Sequence, residues 1–464
     1  MFRLVFISFF LASLSSNAQE IVGDWFGYIP TQNANLKIVF HVDEQNGEIK
    51  GSMDSPDHGT FGLNLNRIVL NDKKVIFDLN IFKIWFEGTL YSSDSLVGVF
   101  KQGEIVCSLT LRKSKTRLPR KPFRPQEPKA PFPYTSKEVH FMNTEQQIKL
   151  VGTLTIPEGR GPFPCAVLVT SSGAQNRDEE IMSHKPFWVI ADHLSRNGIA
   201  VLRYDDRGVG KSTGDFTTAT TSDFAFDSQA AVNFLKNYKK INPTKIGIIG
   251  HSEGGMVASM VASADKEVNF IVMLAAPGIP INEMLLKQNE MSQSLSGIKP
   301  EETLISIELM RKFYVVLLQE KNEIEMRKSL ESIIQKHQES MPKEIADQIK
   351  KETPETIEFL LSPWFRYFVQ CNPQSFLQQV KCPVLAINGS KDSQISPVEN
   401  LDGIRKSLTD AGNQKIHTYI MPSLNHMLQY CDTGALSEYV KIDETISTEV
   451  LQIITDWILN IESK

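Results

Sequence analysis

The sequence predicts an α/β domain on a mostly parallel sheet with an inserted helical lid, preceded by a small all-β domain, barrel or sandwich. Three observations carry this. From about residue 21 to 112, short runs alternate polar and apolar residues, with turn residues about every eight to twelve positions. Six prolines then crowd positions 113–134. Beyond them, nearly continuous Val/Ile/Leu runs alternate with amphipathic helical stretches, the pattern of buried parallel strands.

The elements follow in chain order. Met1-Phe2-Arg3, an apolar run over 4–14 and Ser15-Ser16-Asn17-Ala18 have the form of a secretory signal peptide, assigned to 1–18. As a helix that run spans roughly 15–17 Å, about half of a ~30 Å hydrocarbon core, so no stable membrane anchor is expected. The expected location is exported, periplasmic or extracellular. The all-β domain is assigned to 19–112, with roughly eight strands such as 36–40, 74–79 and 84–88, and turns at Asn46-Gly47 and Asn71-Asp72. Gly23-Asp24-Trp25, placed just before the first strand, resembles the Gly-x-Trp opening of lipocalin-like barrels. There Trp25 either plugs the barrel end or serves binding. The Pro-rich segment 113–134 cannot build a core and is read as an extended linker.

Composition excludes several classes. Hydrophobic residues are 41% and charged residues 22%, which fits a globular chain and neither a disordered nor a polytopic membrane protein. With 49 Lys+Arg against 54 Asp+Glu the net charge is -5, so no nucleic-acid partner is expected. The five cysteines (Cys107, Cys165, Cys371, Cys382, Cys431) form no disulfide framework, and no Cys/His spacing suits zinc. No metal or other cofactor is expected.

In the segment 135–464 the strands are read at 165–170, 199–204, 245–250, 270–275 and 383–388, with helices at 224–238 and 255–264. One segment carries the chemistry. Gly250-His251-Ser252-Glu253-Gly254 is a Gly-x-Ser-x-Gly directly after a strand and before a helix. A serine on such a sharp turn projects its hydroxyl clear of the sheet, and the strained backbone tolerates no bulk two residues either side. Ser252 is therefore the candidate nucleophile. His251, its neighbour, points away and packs. A serine hydroxyl needs a base, and the base an orienting carboxylate. Asp392 follows the strand 384–388 in Gly389-Ser390-Lys391-Asp392, with Asp402, inside the following helix, the second candidate for the acid, and His426 follows the strand 415–420, completing the order Ser, Asp, His. His417 lies inside that strand and is read as structural. Gly208-Val209-Gly210-Lys211-Ser212 is no phosphate loop, because the glycine needed five residues before Gly210 is Asp205.

With these residues in hand, the chain from about Lys137 onward resembles the α/β-hydrolase superfamily. Within it, the chain looks like exported bacterial carboxylesterases with a β-rich N-terminal domain, prolyl-oligopeptidase-related or serine-aminopeptidase-like. The matching stretches are 171–179, 203–212, the Ser252 turn, 389–392 and 424–426. The resemblance implies an α/β-hydrolase fold and an oxyanion hole made by the backbone N–H of Glu253 and one near Gly173. The His-Gly pair usual in the family is absent here, which leaves Ser172, Gly173 and Ala174 as candidates for that second donor. It also implies that Asp206 and Arg207 stabilise their loop.

Ser252 and Asp392 stand 140 positions apart, longer than a bare core needs. The excess, 278–381, is helical with mixed charges and is expected to form a lid over Ser252. Its apolar stripe of Leu304, Ile307, Met310, Phe313 and Leu317 reads as lid core. Trp364, Phe365 and Phe368 either line an acyl pocket or pack the lid. The expected function is hydrolysis of a small or short-acyl carboxylic ester through an acyl-enzyme, with a small-molecule ester as the partner. A peptidase using the same triad, or a non-catalytic exported binding protein, stays open. No feature of the sequence specifies an oligomeric state.

Overall fold

The computed structural model describes residues 20–461 apart from 31–34, 46, 47, 59, 81, 82, 104, 119–121 and 123. The expected signal peptide and the Asn46-Gly47 turn lie outside the described residues. The chain divides into two compact units: one runs to residue 123 and takes in 181–183 and 439–443, and the other is the remainder.

In the first unit, nine antiparallel strands form one sheet: β1 Gly23–Pro30, β2 Asn35–Gln45, β3 Glu48–Ser55, β4 Thr60–Asn64, β5 Arg67–Asn71, β6 Lys74–Leu79, β7 Ile84–Ser92, β8 Ser95–Gln102 and β9 Ile105–Lys113. Their order is β4-β3-β2-β1-β9-β8-β7-β6-β5. The ends of the chain segment meet through β1 and β9, with Trp25 opposite Lys113, while the short β4 and β5 leave the barrel open between them. Alternation along each strand sends one set of side chains inward. There Phe77 stacks on Phe40 at 4.6 Å and on Phe86 at 5.9 Å. Gly23-Asp24-Trp25 lies inside β1, not before it, and Trp25 is wholly buried with its indole N–H donated to the Ile21 carbonyl at 2.8 Å. His41 is enclosed between Asp24 (2.9 Å) and Asp54 (2.7 Å).

The second unit holds an eight-stranded sheet of order β10-β11-β13-β12-β14-β15-β16-β17. Its strands are β10 Tyr134–Asn143, β11 Ile148–Pro157, β12 Phe163–Val169, β13 Ala200–Tyr204, β14 Ile241–His251, β15 Phe270–Leu274, β16 Val384–Gly389 and β17 Ile416–Met421. The strands from β13 across to β17 run parallel; β10 and β11 form an antiparallel hairpin that the apolar-run reading passed over, because β10 is mostly exposed and Lys149, Gly152, Thr153 and Thr155 interrupt the buried β11. Side chains of alternating strand positions enter two cores. One contains Val167 and Ile248 with helices α2 Thr221–Lys236, α3 Glu253–Ala264 and α10 Pro397–Asp410. The other contains Leu168 and Ile249 with α1 Pro186–Arg196 and α11 Thr448–Leu459. Helix α2 starts at a capping box in which Thr220 and Asp223 exchange backbone and side-chain hydrogen bonds. The Pro-rich stretch is not wholly extended spacer: Gln126 accepts the N–H groups of Thr445 and Ile446 and donates to the Ile446 carbonyl.

Six helices lie between β15 and β16: α4 Ile281–Leu295, α5 Pro300–Gln319, α6 Glu323–Glu339, α7 Lys343–Leu361, α8 Pro363–Gln370 and α9 Pro373–Leu377. Phe313, Leu317, Met326, Leu330 and Ile357 give them a core of their own. Leu304, read as part of that stripe, is 64% exposed because it lies nine residues from Phe313, about 180° round the helix, on the opposite side of α5 from the buried face. None of the five cysteines is in a disulfide. Among the described residues no helix is long and apolar enough to cross a membrane.

Candidate active site

Parallel register aligns the ends of four strands. His251 of β14 pairs with Leu274 of β15, Leu274 with Ile387 of β16, and Ile387 with Tyr419 of β17. The loops that follow β14, β16 and β17 therefore leave the same edge of the sheet, and they carry Ser252, Asp392 and His426.

Ser252 joins β14 to α3 with φ 52° and ψ -120°, a strained backbone for a side-chain-bearing residue. Its N–H is tied to the Leu274 carbonyl at 2.8 Å, and its carbonyl accepts the Gly255 N–H at 3.0 Å. The turn closes only because its flanks lack side chains: a Cβ on Gly250 would stand 2.0 Å from the Gly254 carbonyl oxygen, and one on Gly254 2.1 Å from that of Val169.

Asp392 and His426 meet. Nδ1 of His426 is 2.9 Å from Oδ2 of Asp392, and the residues are 4% and 3% exposed. The other carboxylate oxygen accepts the N–H groups of Gln394 and Ile395, both at 2.8 Å, which locks the acid's orientation. With the Nδ1 proton donated to Asp392, Nε2 is the basic nitrogen of His426. His417 stands apart, with its ring accepting the Trp457 indole N–H at 3.1 Å.

His251 packs, as expected, and also bridges. Its Nδ1 is 2.9 Å from Glu179 Oε1 and its Nε2 3.0 Å from the His426 carbonyl. Burial alone would push its pKa down, but the Glu179 carboxylate and both hydrogen bonds outweigh that and hold it above the ordinary imidazole value.

The loop after β12 carries Gly173, at φ +100°. It is held from several sides. Glu179 Oε1 accepts the Ser171 N–H at 2.7 Å, and Asp206 accepts the Thr170 hydroxyl at 2.8 Å and the Gln175 N–H at 2.9 Å. Burial pushes the Asp206 carboxyl well above its usual range, against those two hydrogen bonds. Arg207 pairs with Asp227 at 2.7 Å. Glu253 opens α3, so its N–H has no partner within the helix, as at any helix start.

The three aromatic candidates divide. Phe365 turns into the lid core against Phe359 at 4.7 Å, its position on α8 facing α7. Phe368 packs with Met256 of α3 and Met284 of α4. Trp364 stacks on Phe368 at 5.1 Å and donates its indole N–H to Glu253. A cleft of about 530 Å³ lies between α4, α5 and the loop after Asp392, lined among others by Leu285, Gln288, Asn289, Met310, Ser393 and Gln394, with no charged residue. Sequence reasoning missed Glu179 and the Glu253 side chain. For the latter, an acid directly after the serine in a turn due for burial was the available signal.

The family description serine aminopeptidase, S33, matches residues 185–430, more than half of the chain. Esterase EstD of Thermotoga maritima is 28% identical over 283 residues, 60% of this chain and 58% of its own. Thiohydrolase aneE of Aspergillus aculeatus is 33% identical over 142 residues, 30% of this chain and 41% of its own. The chain thus spans less than two thirds of the length of either relative. Among solved structures, the Pyrococcus furiosus esterase Pf2001 aligns over 65% of this chain and 90% of its own, with TM-score 0.41 and 19% identity.

Proposed function

Since the chain belongs to the serine aminopeptidase S33 family of α/β hydrolases, we propose that it is a serine hydrolase cleaving carboxylic esters, small or short-acyl ones in particular. Ser252 Oγ attacks the ester carbonyl carbon while Nε2 of His426 takes its proton. Asp392 holds the ring and stabilises the imidazolium. The carbonyl oxygen becomes an oxyanion facing the N–H groups of Glu253 and Gly173. Collapse expels the alcohol, which takes the proton from His426. Water, deprotonated by His426, then releases the acid and restores Ser252.

The observation that carries this reading is the buried 2.9 Å contact of His426 with Asp392 at the sheet edge where the Ser252 turn emerges. Preference for an ester over an aminopeptidase substrate is supported by Glu253. A substrate ammonium needs an unengaged acid, and the acid beside the nucleophile already accepts hydrogen bonds from Ser172, Thr221 and Trp364. The similarity to an esterase points the same way. A panel of p-nitrophenyl acyl esters beside aminoacyl-p-nitroanilides tests it, with Ser252→Ala as control. Esters are expected to turn over, shorter acyl chains faster. Turnover of anilides and not esters overturns the ester reading, and activity in Ser252→Ala above about 10⁻³ of wild type overturns the nucleophile. Export is proposed on the form of residues 1–18, and cell fractionation that finds the chain with its N-terminus intact in the cytoplasm overturns it.

A further inference from the structure

Glu253 is 2% exposed, yet the partners recorded for its carboxylate include no cation. It is held by three neutral donors from three separate segments. Ser172, on the loop after β12, donates its hydroxyl to Oε2 at 2.6 Å. Thr221, at the start of α2, donates to Oε1 at 2.7 Å. The indole N–H of Trp364, on α8 of the lid, lies 3.1 Å from both oxygens. Burying a carboxyl group without a counter-charge is costly, and an apolar residue would fill the same space without that cost. Burial pushes its pKa up while the three hydrogen bonds pull it down. The arrangement is therefore maintained for its geometry.

The geometry is specific. The backbone of Glu253 carries one of the two amides assigned to the oxyanion, and its side chain grips Ser172, the residue directly before Gly173, which carries the other. Trp364 enters the same grip from α8 itself, where it stacks on Phe368 (5.1 Å, 15° between planes).

We infer that the Glu253 side chain is a positioning group that sets the distance between the two oxyanion donors and makes that distance depend on the seating of the lid through Trp364. This rests on the ester-hydrolase reading above. Removing the grip lets the Ser172–Gly173 segment relax while the nucleophile and the His426–Asp392 pair stay in place. The loss then falls on transition-state stabilisation and not on ground-state binding.

The test uses the full chain and p-nitrophenyl butyrate, with rates divided by the fraction of Ser252 that an alkyl fluorophosphonate labels at completion. Glu253→Ala is expected to lower kcat about 10- to 100-fold with KM within about threefold, as expected for a displaced oxyanion donor. Glu253→Gln, which keeps an acceptor for Thr221 and Trp364 and a partner for Ser172, is expected to return to within about fivefold of wild type. Ser172→Ala and Trp364→Phe each delete one hydrogen bond, fold more readily than Glu253→Ala, and are expected to lower kcat about three- to tenfold. Unchanged kcat in these two single-bond variants, a Gln variant as impaired as Ala, or a loss confined to KM overturns the inference. A wild type that turns over no ester instead overturns the reading beneath it, and the two failures are distinguishable because the first leaves wild-type activity intact.

Discussion

The ring of His251 donates to the carbonyl oxygen of His426 across 3.0 Å, so the residue before the candidate nucleophile supports the loop of the candidate base. Its other nitrogen meets Glu179, which also holds the Ser171 N–H. One buried imidazole thus joins the loop after β12 to the loop of the candidate base.

That bridge predicts a defect in a residue that never touches substrate. His251→Ala is expected to lower kcat about 10- to 100-fold through displacement of His426, and to lower the melting temperature. His251→Gln, whose amide reaches the same carbonyl, is expected to recover part of both. Steady-state kinetics and calorimetry check this, and equal activity of wild type and His251→Ala defeats it.

Replacing Asp392 by Asn leaves the shape of the site and removes the acceptor for the Nδ1 proton of His426. The side-chain amide then favours the wrong tautomer, and kcat is expected to fall about 10⁴-fold with the fold intact. A fall of less than about tenfold, well short of that triad loss, would assign the orienting role elsewhere.

Gly254→Ala places a methyl 2.1 Å from the Val169 carbonyl oxygen, which is backbone and cannot swing away. Destabilisation of at least about 1–3 kcal/mol is expected from overpacking alone, together with loss of fluorophosphonate labelling at Ser252. An unchanged melting temperature with full labelling would contradict the tight turn described above.

In the β unit, burial would lower the pKa of His41, but hydrogen bonds and charge from Asp54 and Asp24 more than reverse it, so the folded value is raised. A raised folded pKa stabilises fully below the unfolded value of about 6.5 and ceases to stabilise as pH rises through the folded value. Arg117 stands 2.9 Å from Asp24 and 3.0 Å from Asp43 in the same cluster. The melting-temperature gap between wild type and His41→Asn, followed on the β-unit transition, is therefore expected to narrow from about pH 6 to about pH 9. A gap that widens with pH rules this out.

Much of this was legible in the chain because it is local. The strand 246–250, the glycines around Ser252 and the helix after them announce a turn that neighbouring residues enforce within a few ångströms. Asp392 and His426 were legible by order, each after its own strand. Other parts were not. Leu304 stands three residues before Ile307 yet is exposed, because steps of three drift round a 3.6-residue helix until Phe313 lies about 180° away. Phe365 and Trp364 are adjacent, and only the placement of α8 sends one into the lid core and the other to Glu253. The hairpin of β10 and β11 escaped notice because most of β10 is exposed and because Lys149, Gly152, Thr153 and Thr155 interrupt the apolar run of the buried β11.

The sequence by itself determined the two kinds of domain and the backbone permissiveness at Ser252, since hydrophobic patterning and the glycines around Ser252 act over a few residues, and it set the chain order of the candidate groups. Tertiary structure alone decided that His426 reaches Asp392, that His251 spans from Glu179 to the base loop, and that Glu253 faces inward. Those contacts join residues 34 to 175 positions apart. Their distances are set by the register of parallel strands and the packing of helices on them, which no short stretch of residues encodes.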